Sequence, residues 1–138
     1  MAPERLILDT SILIAAERGS VNLAGAAGGD ADAALPAIAV AEYLAGVHLA
    51  ATEQQRQTCQ AFLERALDAL PVEKYTQRVA VRHGELLALA RRSGTTRGAH
   101  DLIIAATALA TGRTILTVDD RARFHELPQV PARVLDRS

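Results

Sequence analysis

Two short apolar runs stand near opposite ends of the chain, Leu6-Ile7-Leu8 just before Asp9 and Ile115-Leu116 just before Thr117-Val118-Asp119. Short apolar runs with no alternating polar face are the pattern of strands buried on both sides, as in a parallel sheet. Between them the apolar spacing lengthens to that of helices. Arg5 to Asp9 is predicted as the first strand, with Thr10-Ser11 capping a helix over Ile12 to Arg18 that Gly19 ends. The small-residue stretch from Leu23 to Ala34 is either a short helix ending at Gly28-Gly29 or a mobile loop.

Leu35 to Val40 is predicted as a second strand, followed by a helix from Ala41 to Ala51 with Glu42 in its first turn, where the helix dipole favours an acid. Phe62, Leu63, Ala66, Leu67 and Leu70 share one helical face, so Glu53 to Leu70 is predicted as an amphipathic helix stopped by Pro71. Glu73 to Arg92 repeats the pattern, with Val79, Leu86, Leu87 and Ala90 inward and Ser93-Gly94 as its end. His100 to Thr111 places Leu102, Ile103, Ala106 and Leu109 on one face before Gly112 stops it. After the strand into Asp119, Arg121 to Leu127 predicts a short helix and Ala132 to Leu135 a last edge strand. Alternating strands and helices predict an α/β fold, and the lack of repeats or linkers predicts one domain over residues 1–138.

Composition narrows the partners only a little. Apolar residues make up 49% and charged residues 22%, as in a helix-rich globular protein, and the formal charge is −1. With no overall positive field, binding to nucleic acid has to rest on a local basic patch. The lone cysteine, Cys59, excludes an intramolecular disulfide and a CxxC metal site. No apolar run approaches the ~20 residues that span a bilayer and no secretory leader pattern is present, so a cytoplasmic location is expected.

Chemistry enters with four carboxylates, each where a predicted strand ends or a helix begins: Asp9, Glu42, Asp101 and Asp119. In α/β folds ligands bind beyond the carboxyl ends of the strands, where acids from opposite ends of the chain can meet. Each acid also has an ordinary explanation as a turn or cap residue, and only the four together point to a shared site. Carboxylates packed within a few ångströms repel one another unless a cation compensates. Hard oxygen donors without a His or Cys set suit Mg²⁺ or Mn²⁺ rather than zinc. Such an ion activates water and steadies charge on a phosphate, which predicts a metal-dependent nuclease that hydrolyses phosphodiesters. Thr10, Ser11 and Thr117 are candidates to orient a carboxylate or a water, with helix capping as the competing role, favoured for Ser11. Asp120 is a further acid beside Asp119, which is taken as the one facing the cleft. His100 is read as structural, and no Ser-His-Asp arrangement is suggested.

The residues resemble a known family, the PIN-domain ribonucleases, and within it the VapC-type toxins of bacterial type II toxin–antitoxin pairs. The resemblance covers nearly the whole chain and lies in four ordered blocks: Leu8-Asp9-Thr10-Ser11, Val40 to Gly46 around Glu42, Gly98 to Ala108 around Asp101, and Leu116 to Asp119 followed by Phe124. Two departures stand out: Phe124 lies one residue farther on than in the commonest last block, and Ala37-Ile38-Ala39 replaces a common serine or threonine. The resemblance implies an α/β/α sandwich around a mostly parallel sheet of four to five strands. It also implies an endoribonuclease using Mg²⁺ or Mn²⁺ at Asp9, Glu42, Asp101 and Asp119, a homodimer, and a small VapB-like antitoxin that blocks the site. Leu13, Ile14, Tyr43, Leu44 and Val47 either line a groove for that antitoxin or belong to the core.

RNA requires positive charge beside the acids. Arg91, Arg92 and Arg97 precede Asp101 and are the candidate phosphate contacts, ahead of the Lys74, Arg78 and Arg82 stripe, which reads equally as a solvated helix face. Two other classes stay open: a non-catalytic PIN-like module that binds RNA or protein, and a phosphatase with an aspartyl nucleophile. The second normally needs an aspartate two residues after the first, where this chain has Ser11.

Overall fold

In the computed structural model, which describes residues 3–26 and 30–136, β1 (Arg5–Leu8) lies at the centre of a five-stranded sheet. β2 (Asp32–Pro36) and then β3 (Val72–Glu73) extend it on one side, and β4 (Thr114–Thr117) and then β5 (Ala132–Val134) on the other. Every neighbouring pair is parallel. The chain builds outward from β1 through β2 to β3, then returns to lay β4 along the free edge of β1. That reversal opens a crevice beyond the carboxyl ends of β1 and β4.

Helices cover both faces. β1 alternates its side chains, Leu6 and Leu8 to one face and Ile7 to the other, and all three are fully buried. On the Leu6 face the core is closed by α1 (Thr10–Glu17), α3 (Ala37–His48) and α4 (Glu53–Ala69), through Ile12, Leu13, Tyr43, Val47, Leu63 and Ala66. On the Ile7 face it is closed by α5 (Gln77–Ser93) and α6 (Ala99–Thr111), through Val79, Leu86, Leu102 and Ile104, with Phe124 and Leu127 from the segment after β4. Each such leucine or isoleucine contributes about 1.5–3 kcal/mol by its burial. Gly94 and Gly112 end α5 and α6 in the left-handed conformation, φ 67° and 66°, which glycine adopts without strain.

Several elements differ from expectation. The second strand stops at Pro36 and α3 begins at once at Ala37, so Ile38, Ala39 and Val40 are helical; a short apolar run does not distinguish a buried strand from a buried helix. Glu42 therefore lies in the second turn of α3, not the first, and the dipole argument does not apply to it. Glu73 belongs to the edge strand β3 rather than to α5. Asp9, not Thr10 or Ser11, caps α1, accepting from the Thr10 N–H. The segment Arg121 to Leu127 is two 3₁₀ turns, Asp120–Ala122 and Phe124–Glu126, hinged at Arg123 with φ 52°. Leu23–Ala26 forms the helix α2, while the end expected at Gly28-Gly29 lies outside the described residues. Among the described residues no helix is long and apolar enough to cross a membrane.

The opposite end of the sheet is tied by one buried cation. Arg113, 6% exposed at the entrance to β4, donates to the Leu6 carbonyl at 3.1 Å, to the Asp32 carbonyl at 2.7 Å and to Glu73 at 3.0 Å. One guanidinium thus joins β1, β2 and β3.

Candidate active site

Asp9 follows directly on β1, and its backbone N–H still donates to Leu116 of β4. The side chain is 7% exposed and its two oxygens have different duties. Oδ1 accepts the Thr10 N–H at 2.9 Å. Oδ2 accepts the Ser11 and Thr117 hydroxyls, each at 2.8 Å. Each hydroxyl has one proton, and with both directed at the carboxylate each oxygen is left to accept a backbone N–H: Ser11 from Val118 at 3.1 Å, Thr117 from Asp119 at 3.0 Å. The hydroxyl pair thus links β1, α1 and the chain leaving β4.

Glu42 reaches the same place from α3. The Thr10 hydroxyl donates to its Oε1 at 2.6 Å, and the His100 ring meets its Oε2 at 3.1 Å. His100 is on α6, so the contact joins α3 to α6 beside Asp101. Asp101 is in the first turn of α6, where an acid suits the dipole. Its carboxylate lies over Gly98, so close that a Cβ there would meet Oδ2 at 2.7 Å. Asp119 caps the 3₁₀ turn after β4, accepting the Arg121 N–H at 2.9 Å.

All four acids line one open cleft of about 460 Å³, together with Thr10, Ser11, Arg18 and Arg121. Burial raises the pKa of Asp9, which the hydroxyls of Thr117 and Ser11 and the Thr10 N–H oppose, and the charge of Glu42 pushes it up again. Asp101 is raised by burial first and then by the charges of Asp9, Glu42 and Asp119, with His100 acting against them. The acids therefore form one electrostatic unit, and hard oxygen donors under mutual repulsion fit a Mg²⁺ or Mn²⁺ ion. As placed, no three His, Cys, Asp or Glu side chains among the described residues close on a single point as ligands do. Glu42 is turned to Thr10 and His100, and Asp119 to Arg121.

Of the other expected residues, Asp120 lines a neighbouring pocket beside Val134 and Leu135 and not the acid cleft. Arg97 is turned into the protein: its side chain, 8% exposed, donates to the carbonyls of Ala122 and Arg123 and ties the α5–α6 connection to the segment after β4. Arg91 and Arg92 are exposed at the end of α5 and do not line the cleft. Sequence reasoning missed Arg18 and Arg121, the two cations that do. Arg18 carries no signal in its neighbours, since only the fold turns the end of α1 toward the acids, whereas Arg121 stands two residues after Asp119 and that closeness could have marked it.

A second pocket adjoins the cleft, sharing Ile14, Arg18 and Glu42 with it and adding Tyr43, Gly46, Val47 and Cys59. Of the expected groove residues, Leu13, Tyr43 and Val47 are core, while Ile14 is 39% exposed.

Comparison with known proteins agrees with this architecture. The PIN domain family model matches residues 6–129. Ribonuclease VapC of Rickettsia bellii (strain RML369-C) is 30% identical over 125 residues, covering 91% of this chain and 92% of its own. Among solved structures, VapBC2 from Rickettsia felis, bound to a DNA fragment from its promoter, shares the fold with a TM-score of 0.85 at 23% identity, covering 96% of this chain and 99% of that one. VapBC-5 from Mycobacterium tuberculosis, a member of the VapBC family of toxin–antitoxin systems, has a TM-score of 0.76 at 26% identity, covering 96% and 98%. The chain belongs to the PIN-domain family, and its sequence relatives there include the VapC ribonucleases.

Proposed function

We propose that the chain, acting as a single PIN domain, is the endoribonuclease toxin of a toxin–antitoxin pair, hydrolysing RNA phosphodiesters at the acid cleft. The observation that carries this reading is the convergence of Asp9, Glu42, Asp101 and Asp119 from four separate segments on one cleft. Asp9, Asp101 and Asp119, with Glu42, would hold Mg²⁺ or Mn²⁺; when bound, the ion supplies positive charge against the phosphate and acidifies water. The protein's own part is positional. Ser11 and Thr117 fix the Asp9 carboxylate and oppose the rise in its pKa that burial causes, Thr10 holds Glu42, and Gly98 leaves room for Asp101. Arg91 and Arg92 are proposed as outer contacts to the RNA backbone.

The partly exposed pocket around Ile14, Tyr43 and Val47 is the proposed seat of a small VapB-like antitoxin, beside the acids it would block. A homodimer belongs to the same reading and is checked by light scattering on the purified chain.

The test is cleavage of total bacterial RNA by purified, antitoxin-free protein with Mg²⁺ or Mn²⁺, with EDTA, and by Asp9→Ala and Asp101→Ala. Discrete fragments that vanish with EDTA and with either substitution are expected. Absence of cleavage by folded, metal-loaded protein would leave a binding module instead.

A further inference from the structure

Arg121 lies along the Asp119 carboxylate, with Nε 2.9 Å from Oδ1 and 2.8 Å from Oδ2, and Nη2 2.6 Å from Oδ2. The arginine side chain is 89% exposed, the carboxylate 23%. Contact with Asp119, through hydrogen bonding first and charge second, favours the charged guanidinium still further. Asp119 does not depend on this grip for its place, since its Oδ1 also accepts the Arg121 backbone N–H at the cap of the 3₁₀ turn. Exposed ion pairs are weak and open easily. Arg121 is thus a charge resting on a candidate metal ligand and able to leave it.

The charge of the cleft gives that mobility a use. Among the described residues that line it, four carboxylates stand against two arginines, Arg18 and Arg121, an excess of negative charge that repels a phosphodiester. A divalent cation offsets the excess and competes for the same Asp119 oxygens. A guanidinium displaced from a carboxylate keeps a planar fork that suits phosphate equally well.

We propose that Arg121 serves two anions in turn: it neutralises Asp119 before the cation arrives, and grips the RNA phosphate once the cation has taken the carboxylate. The proposal rests on the reading of the acids as metal ligands given above. Metal binding and RNA binding are thereby coupled through one side chain, so loading of the cleft also readies it for substrate. Arg121 is a positioning and binding residue in this scheme, moving no proton.

The experiment separates the two anions. Mn²⁺ uptake by metal-free protein is measured calorimetrically without RNA. Binding of a fluorescein-labelled phosphorothioate RNA oligonucleotide is measured by anisotropy across a salt series with Mn²⁺ present. Wild type is compared with Arg121→Ala, Arg121→Lys and Arg56→Ala, the last being an arginine paired with Glu53 on α4 and outside the cleft. Arg121→Ala is expected to bind Mn²⁺ about two- to fivefold more tightly, because a competitor is gone. It is expected to bind RNA more weakly, with the slope of log affinity against log salt shallower by about 0.7, the loss of one single-strand phosphate contact. Arg121→Lys should fall between, and Arg56→Ala should match wild type in both. Wild type that takes up no Mn²⁺ would remove the metal-ligand reading and the exchange with it. Uptake by wild type with no gain in Arg121→Ala, or an unchanged salt slope, would overturn the exchange alone.

Discussion

The Thr117 hydroxyl donates to Asp9 Oδ2 at 2.8 Å across a sequence separation of 108 residues. Thr117 is 1% exposed, so water does not replace the bond if it is lost. Thr117→Val keeps the shape and removes the donor. The expected cost is about 1 kcal/mol of stability and, with Asp9 as a proposed metal ligand, about 10- to 100-fold in RNA cleavage for loss of a group that orients it. Since this bond lowers the Asp9 pKa, the acidic limb of the pH–rate profile should move to higher pH. An unmoved limb with normal activity would show that Thr117 only packs.

Gly98→Ala tests the space left for Asp101. The backbone of Gly98, at φ −62° and ψ 134°, is open to alanine, but the new Cβ would press on Oδ2 at 2.7 Å. The carboxylate has to move. Stability is expected to change by no more than about 1 kcal/mol, since restricting the unfolded chain and weakening the cap act in opposite directions. Cleavage should fall about tenfold or more while the melting temperature holds within a few degrees. Full activity would mean that Asp101 tolerates displacement.

Asp101→Asn separates stability from activity. Burial and the neighbouring acids raise the folded-state pKa of Asp101 above the unfolded value, so protonation favours the folded form. The stability associated with this group is present at pH below the ordinary aspartate range and is lost as pH rises through the raised value. In metal-free protein the variant should therefore melt higher than wild type near neutral pH, with the gap closing as the solution is acidified. Added Mn²⁺ should raise the wild-type melting temperature and raise that of the variant less. A variant that melts lower than wild type at neutral pH without metal would contradict the repulsion.

Arg113→Met addresses the far end of the sheet. The substitution removes hydrogen bonds to three strands. Asp32 and Glu73 remain partly hydrated, at 37% and 27% side-chain exposure, so the loss is expected at about 2–3 kcal/mol, toward the lower end for a broken buried pair. Chemical denaturation measures it. Cleavage per folded molecule should stay near wild type, because no Arg113 contact reaches the acid cleft.

The sequence was most legible where one physical cue acted alone. The apolar runs before Asp9 and Asp119 marked β1 and β4, and with them the adjoining crevice; Gly94 and Gly112 ended their helices as read. It was least legible where two cues competed. The run from Leu35 to Val40 is apolar enough for a strand, but Pro36 ends the extended chain and alanine-rich Ala37–Ala41 continues as helix, which moved Glu42 into a second turn. Charge was read by neighbourhood along the chain, which favoured Arg97 for its closeness to Asp101. In the fold its guanidinium is spent on two carbonyls, while Arg18 meets the acids only because α1 ends at the same crevice, and Arg121, two residues after Asp119, was passed over although it is nearer to an acid in sequence than Arg97. The hydroxyl pair of Ser11 and Thr117 needed the parallel register of β1 and β4 before its shared acceptor could be recognised.

The strand order has a temporal meaning as well. β1 is made first, yet its partner β4 is added only after α6, so a growing polypeptide that has completed α6 carries Asp9, Glu42 and Asp101 but neither Thr117 nor Asp119. Parallel pairing across so long an intervening stretch is among the slower events of folding. For a chain proposed to cut RNA, the acid cleft is therefore completed late: until the segment after α6 has settled against β1, the crevice lacks both the fourth acid and the Thr117 hydroxyl that holds Asp9.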